Sequence, residues 1–220
     1  MPLLNDRAAG HLSPNGNLDA RQPVCPRGYA AGMITPQRTL LIRPVRPEEY
    51  GPLGELTVAA YHSVPDVTNH QDVYDRQLRD VATRAEISCV LVAVGLGDEL
   101  LGGATYVRGP DDPYSEELAE GEAGMRMLAV DPVRQRQGVG RALTQACLDR
   151  AREAGRGRLV LHTGAWMPAA IRLYERIGFV RLPEVDFTPA PGIDLIGYTF
   201  NLTPLEGAIR RAQRPDPGAR

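Results

Sequence analysis

Lysine is absent from this 220-residue chain: all 25 of its Lys-or-Arg positions are arginine. No side-chain amine is present to be acylated, and a P-loop, which needs Gly-Lys-Ser/Thr, is excluded. Strong net charge is lacking too. The balance of −2 gives no global field that would favour nucleic acid or an acidic membrane. Cysteine is scarce: Cys25, Cys89 and Cys147 lie far apart and form no CxxC pair. Neither a disulfide framework nor a zinc site is therefore expected, and no other metal is implied. Cys89 in an apolar run and Cys147 on a helical apolar face read as buried free thiols. No apolar stretch approaches the length of a membrane span, and the first residues lack a basic start followed by an apolar segment. These absences point to a cytoplasmic protein with no membrane or nucleic-acid partner.

What is present is an apolar fraction of 43%, enough for one sizeable core. Residues 1–38 are rich in Gly, Pro and Asn, show no period, and read as a flexible arm. Residues 39–203 alternate between strand and helix patterns, and 204–220 read as a tail. Within the middle segment, strands are expected at Thr39 to Arg43, Ser88 to Val94, Glu99 to Val107, Ala123 to Val130, Arg158 to His162, Phe179 to Arg181 and Leu195 to Leu202. Helices are expected at Pro47 to Tyr61, Asp72 to Ala85, Gly138 to Ala154 and Ala169 to Ile177. In the third helix Val139, Ala142, Leu143, Ala146, Cys147 and Ala151 share one buried face. The order is that of a mixed α/β domain.

The informative stretch runs from Met127 to Leu143. A strand feeds a polar loop, and the loop opens a helix at Gly138 and Gly140. Glycine lets the backbone approach a ligand closely. The first helical amides lack internal partners and, with the helix dipole, suit a pyrophosphate. Arg134, Arg136 and Arg141 add positive charge. A dinucleotide fingerprint would need a third glycine where Leu143 stands. What fits is Gln/Arg-x-x-Gly-x-Gly/Ala, here Gln135-Arg136-Gln137-Gly138-Val139-Gly140.

That hexapeptide resembles the signature of the GNAT acetyltransferases. So do Met127-Leu-Ala-Val-Asp-Pro before it and Ala170-Ile-Arg-Leu-Tyr-Glu-Arg-Ile-Gly-Phe179 after it. The resemblance implies a mixed central sheet, flanked by helices and splayed between its fourth and fifth strands, Ala123 to Val130 and Arg158 to His162. It implies acetyl-CoA as co-substrate, with Leu128, Ala129 and Val130 pairing with its pantetheine arm. Amides from Arg136 to Arg141 would hold the pyrophosphate. An N–H near Leu128 would polarise the acetyl carbonyl. Tyr174 matches the family's proton donor to the departing thiolate. Glu122 is the first candidate for a base that deprotonates the acceptor amine, and His162 the second. Arg126 would contact an acidic acceptor or balance the acidic loop from Asp111 to Glu122. Asp186 and Phe187 would border the acceptor pocket. Two positions depart from the family pattern: Met167 stands where many members carry Asn, and Arg136 where Gly is frequent. The expected acceptor is a small-molecule amine; the alternatives are a protein amine or a non-catalytic acyl-CoA-binding module. The resemblance is compatible with a homodimer.

Overall fold

The computed structural model describes residues 31–35, 38–64, 72–116, 118–190 and 192–202. The expected arm lies outside these residues except near its end, and the expected tail lies wholly outside them. Nine strands are described: β1 Ala31–Thr35, β2 Arg38–Pro44, β3 Cys89–Val94, β4 Leu100–Val107, β5 Glu122–Val130, β6 Arg158–Gly164, β7 Val180–Arg181, β8 Phe187–Ala190 and β9 Ile193–Asn201. The helices are α1 Tyr50–His62, α2 Asp72–Arg79, α3 Val81–Ile87, α4 Val139–Glu153 and α5 Pro168–Ile177. The sheet order is β1-β2-β3-β4-β5-β6-β9-β7, with β8 also on β9. Among the described strands only the β5–β6 pair is parallel.

β3 shows why the sheet carries helices on both faces. Every residue of its Cys-Val-Leu-Val-Ala-Val run is buried, because alternate side chains enter opposite cores. Cys89, Leu91 and Ala93 join Leu143, Cys147 and Tyr174 of α4 and α5. Val90, Val92 and Val94 join Leu53 of α1 and Val81 of α3. The six α4 residues expected on one face are all buried.

Four local expectations change. Strand β1, inside the stretch without a period, pairs with β2 from Ala31↔Ile42 to Thr35↔Arg38. The single helix expected over Asp72 to Ala85 is two, because the Asp80 carboxylate accepts the Thr83 N–H at 3.1 Å and caps a new helix. Arg84 then donates to the Gln77 and Leu78 carbonyls at the end of α2. The proline-rich loop before β9 contains a short 3-10 turn, Pro183–Val185, and strand β8. Cys147 is a buried free thiol as expected, but Cys89 is disulfide-bonded. Among the described residues no helix is long and apolar enough to cross a membrane.

The added edge strand makes the expected fourth and fifth strands β5 and β6. They pair in register only from Glu122↔Arg158 to Met125↔Leu161. Beyond that point β5 continues to Val130 and β6 to Gly164 without pairing with each other. The cause is a bulge. Gly103 faces Ala129 and Thr105 faces Arg126, so Met127 and Leu128 together oppose Ala104. Met127 takes a left-handed φ of 50°. An extra residue in one strand bends it, and here the bend turns β5 away from β6.

Candidate active site

The parted strand ends enclose a cavity of about 60 Å³. β5 supplies Met125, Arg126, Met127 and Leu128 to its wall, and β6 supplies His162 and Thr163. Tyr174 of α5 closes one side, and Tyr61 of α1 also reaches it. Beyond Met125 the β6-facing edge of β5 has no strand partner among the described residues, so its backbone groups are available to an extended ligand.

Tyr174 is 5% exposed and packs on Phe179, with ring centroids 5.7 Å apart. Burial pushes its phenol well above the ordinary tyrosine range. Its hydroxyl therefore keeps its proton through ordinary alkaline pH. Tyr61 meets Tyr74 of α2 edge-on at 5.9 Å, and burial pushes both phenols up. Neither residue had a signal in the sequence beyond a helical pattern.

The structure does not bring Glu122 to the cavity. It opens β5 at the closed end of the pair, opposite Arg158, which it contacts as an ion pair. Its other oxygen accepts the Ala119 N–H at 2.9 Å. Leu128 lies six positions further along the strand, roughly 20 Å away. A strand pattern does not reveal which end of the strand opens, so the sequence carried no signal for this placement. His162 does line the cavity, but its Nε2 lies 2.8 Å from the Val185 carbonyl and its Nδ1 2.9 Å from Glu116. Phe187 stands edge-on to the His162 ring at 4.8 Å. Asp186 is engaged elsewhere, by Arg181 at 2.5 Å and the Gly197 N–H at 2.8 Å.

Arg126 resolves toward the second of its two expected roles. Its Nε lies 2.8 Å from Glu116, an acidic-loop residue that the sequence did not single out. Burial pushes the Glu116 carboxyl up, but Arg126 and His162 outweigh it and hold the group below the usual carboxylate range.

At the start of α4 the six motif residues divide by role. Gln135, Arg136, Gln137 and Gly138 are exposed, as is Arg141 after them. Val139 is buried, and only its backbone can serve a ligand. Gly138 is the N-cap at φ 86°, with nothing within 4 Å of where a Cβ would stand. Gly140 differs: a Cβ there would meet Leu173 Cδ2 at 3.2 Å and Val130 Cγ2 at 3.5 Å. The first glycine serves conformation and open access, the second close packing of α4. Arg136, the departure from a frequent glycine, holds φ 61°, a conformation that glycine adopts without strain. The first turn carries no acid, and Arg134, Arg136 and Arg141 make no ion pair among the described residues. Oriented amides and unpaired cations together fit a phosphate group. At the other departure, Met167 Sδ faces the Thr163 hydroxyl at 3.7 Å, so a thioether stands in the wall where an amide is frequent.

The model of the acetyltransferase (GNAT) family matches residues 55–179. A mycothiol acetyltransferase of Geodermatophilus obscurus is 40% identical over 86 residues, 39% of this chain and 27% of that protein. The ribosomal protein bS18-alanine N-acetyltransferase of Escherichia coli K12 is 47% identical over 58 residues, 26% of this chain and 39% of that one. The chain thus spans well under half the length of these curated relatives. A Salmonella typhimurium protein solved with its cofactor acetyl-CoA superposes with a TM-score of 0.55 at 22% identity, covering 81% of this chain and 98% of that one. With its parted strands, its bulge and its glycine-capped helix, the chain belongs to the GNAT acetyltransferase family.

Proposed function

We propose that the chain moves the acetyl group of acetyl-CoA directly to the amine of a small-molecule acceptor. The observation that carries this is the parting of β5 and β6 beyond Met125 and Leu161, with Tyr174 at the side of the gap. Acetyl-CoA supplies the thioester. The Gly138 cap and the amides from Arg136 to Arg141 hold its pyrophosphate, with Gln135 and Gln137 flanking them. The backbone of Leu128, Ala129 and Val130 aligns the arm, and the Leu128 N–H receives the acetyl oxygen as charge gathers there. The neutral amine forms the new C–N bond, the C–S bond breaks, Tyr174 gives its proton to the sulfur, and the proton that the nitrogen sheds on becoming an amide restores Tyr174 through water. A free amine with pKa near 10.4 is neutral in only about one molecule per thousand at pH 7, so a proton must leave it, and water in the cavity mouth is the carrier we assign.

A peptide α-amine is the second reading. The likeness to the bS18-alanine enzyme favours it, since 47% identity falls on a quarter of the chain. Release of thiol from acetyl-CoA is measured with a panel of amines and short peptides, and products are weighed by mass spectrometry. Amine-dependent release is expected. Binding of acetyl-CoA without release on any amine would leave only the acyl-CoA-binding module.

A further inference from the structure

We infer that the acceptor is an amine whose neighbouring carbon bears no carboxylate, and that Glu116 sets this preference by holding Arg126. The inference rests on the acetyltransferase reading above. Arg126 is the one arginine among the described residues that line the cavity. An amino-acid acceptor would need such a cation, because a carboxylate leaving water requires a paired charge and donors for its oxygens. Arg126 is already engaged. Its Nη1 donates to the carbonyls of Met125 at 3.1 Å and Val160 at 3.2 Å, and its Nη2 to that of Ser115 at 3.0 Å. Its Nε faces Glu116 Oε2 at 2.8 Å. A guanidinium binds carboxylate through two parallel N–H groups on one edge. Here each edge has at least one of its nitrogens committed to the protein.

His162 offers no substitute, since both ring nitrogens face protein oxygens, Val185 O and Glu116 Oε2. The rest of the wall is thioether, alkyl and phenol, with the Thr163 hydroxyl turned to Met167 Sδ at 3.7 Å. Glu116 itself stands behind this wall as a half-buried anion, so a second carboxylate would meet like charge. The contacts of Glu116 with Arg126 and His162 are ion-pair distances rather than well-aligned hydrogen bonds.

The placement of Glu116 is built, not incidental. Its backbone sits at φ 53°. Such a conformation is strained for a residue with a side chain and persists where its surroundings impose it. Two residues on, Leu118 packs with Val107 and Val160 and pins the loop against β4 and β6. A primary amine beside an amide, a methylene or a sugar carbon meets none of these obstacles. A peptide N-terminus, an amino sugar and a simple aralkylamine all belong to that class.

The test uses matched sets on the full chain: phenylalanine, phenylalaninamide and phenethylamine, then alanine, alaninamide and ethylamine. Thiol release is recorded at saturating acetyl-CoA, with rates referred to the neutral-amine fraction of each acceptor. Within each set the carboxylate-free acceptors are expected to exceed the amino acid at least tenfold in kcat/KM. In Glu116→Gln the shape is kept and the negative charge removed, so Arg126 keeps its carbonyl contacts but loses its counter-charge. The ratio should then narrow at least threefold, mainly through a lower KM for the amino acid. Equal or better use of amino acids by the unaltered protein would overturn the inference and leave acetyl transfer standing. An unchanged ratio in a folded Glu116→Gln would overturn the role of Glu116. If Glu116→Gln does not fold, the ratio in the unaltered protein still decides the acceptor class. If no acceptor in either set is turned over while CoA binds, the acetyltransferase reading fails and this inference falls with it.

Discussion

Tyr174→Phe removes one hydroxyl and keeps the ring that packs on Phe179. If the hydroxyl protonates the departing sulfur, kcat falls about a hundredfold, within the usual range for a positioned acid. CoA affinity changes little, because the hydroxyl matters most as charge develops on sulfur. The sign of the pH dependence follows from the raised phenol. The proton-bearing form persists below the folded pKa, so the alkaline loss of kcat should lie above the ordinary phenol value of about 10. Steady-state rates from pH 7 to 10.5 check both points, and a Phe variant within a few-fold of the parent would end the acid role. Tyr174 was legible because the family spacing marks it. The position of Glu122 away from the cavity was not legible, because an acid at a strand start reads the same at the open and the closed end. Glu116 was invisible, since its loop has no period and its partners come from β5 and β6.

At the scale of the element, the loop and first turn of α4 separate two demands that the sequence presents as one motif. Gly138 holds a left-handed φ in open space, and Gly140 packs on Leu173 and Val130. Gly138→Ala should cost about 1 kcal/mol of stability through its backbone alone. Gly138→Asp should add the loss of CoA binding while the protein still folds, because it sets a negative charge at the phosphate site. Gly140→Asp should instead lower stability by about 2 kcal/mol or more, because a carboxylate would enter an apolar contact. Urea unfolding with and without CoA separates these effects. Normal CoA binding by Gly138→Asp would move the pyrophosphate elsewhere, and an undisturbed stability for Gly140→Asp would deny its packing role. The buried stripe of α4 was readable from period alone, because helical spacing reports burial directly. The break at Asp80 was not, because a cap depends on a carboxylate reaching one amide rather than on pattern.

For the whole molecule, the sheet order sets how far an end of the chain can influence the site. β1 is an edge strand, and β4, β5 and β6 lie beyond β2 and β3. Removing residues 1–37 deletes β1 and bares the edge of β2, which is then a template for pairing with another chain. A lower melting temperature and some self-association are expected, relative to a variant lacking only residues 1–30. CoA binding should survive, because none of its proposed contacts lies on β1 or β2 and distant sites act almost independently. At a hundredfold excess over Kd, CoA adds about 2.7 kcal/mol to stability. For a chain of this size that is a rise of roughly 5–11 °C in Tm. Both truncations and the full chain should show the same rise, measured under reducing conditions so that Cys89 is a thiol in each. A rise that vanished with residues 31–37 would mean that the edge strand supports the cofactor site across four strands. Its loss with residues 1–30 alone would mean that the chain ahead of β1 contributes to the site directly.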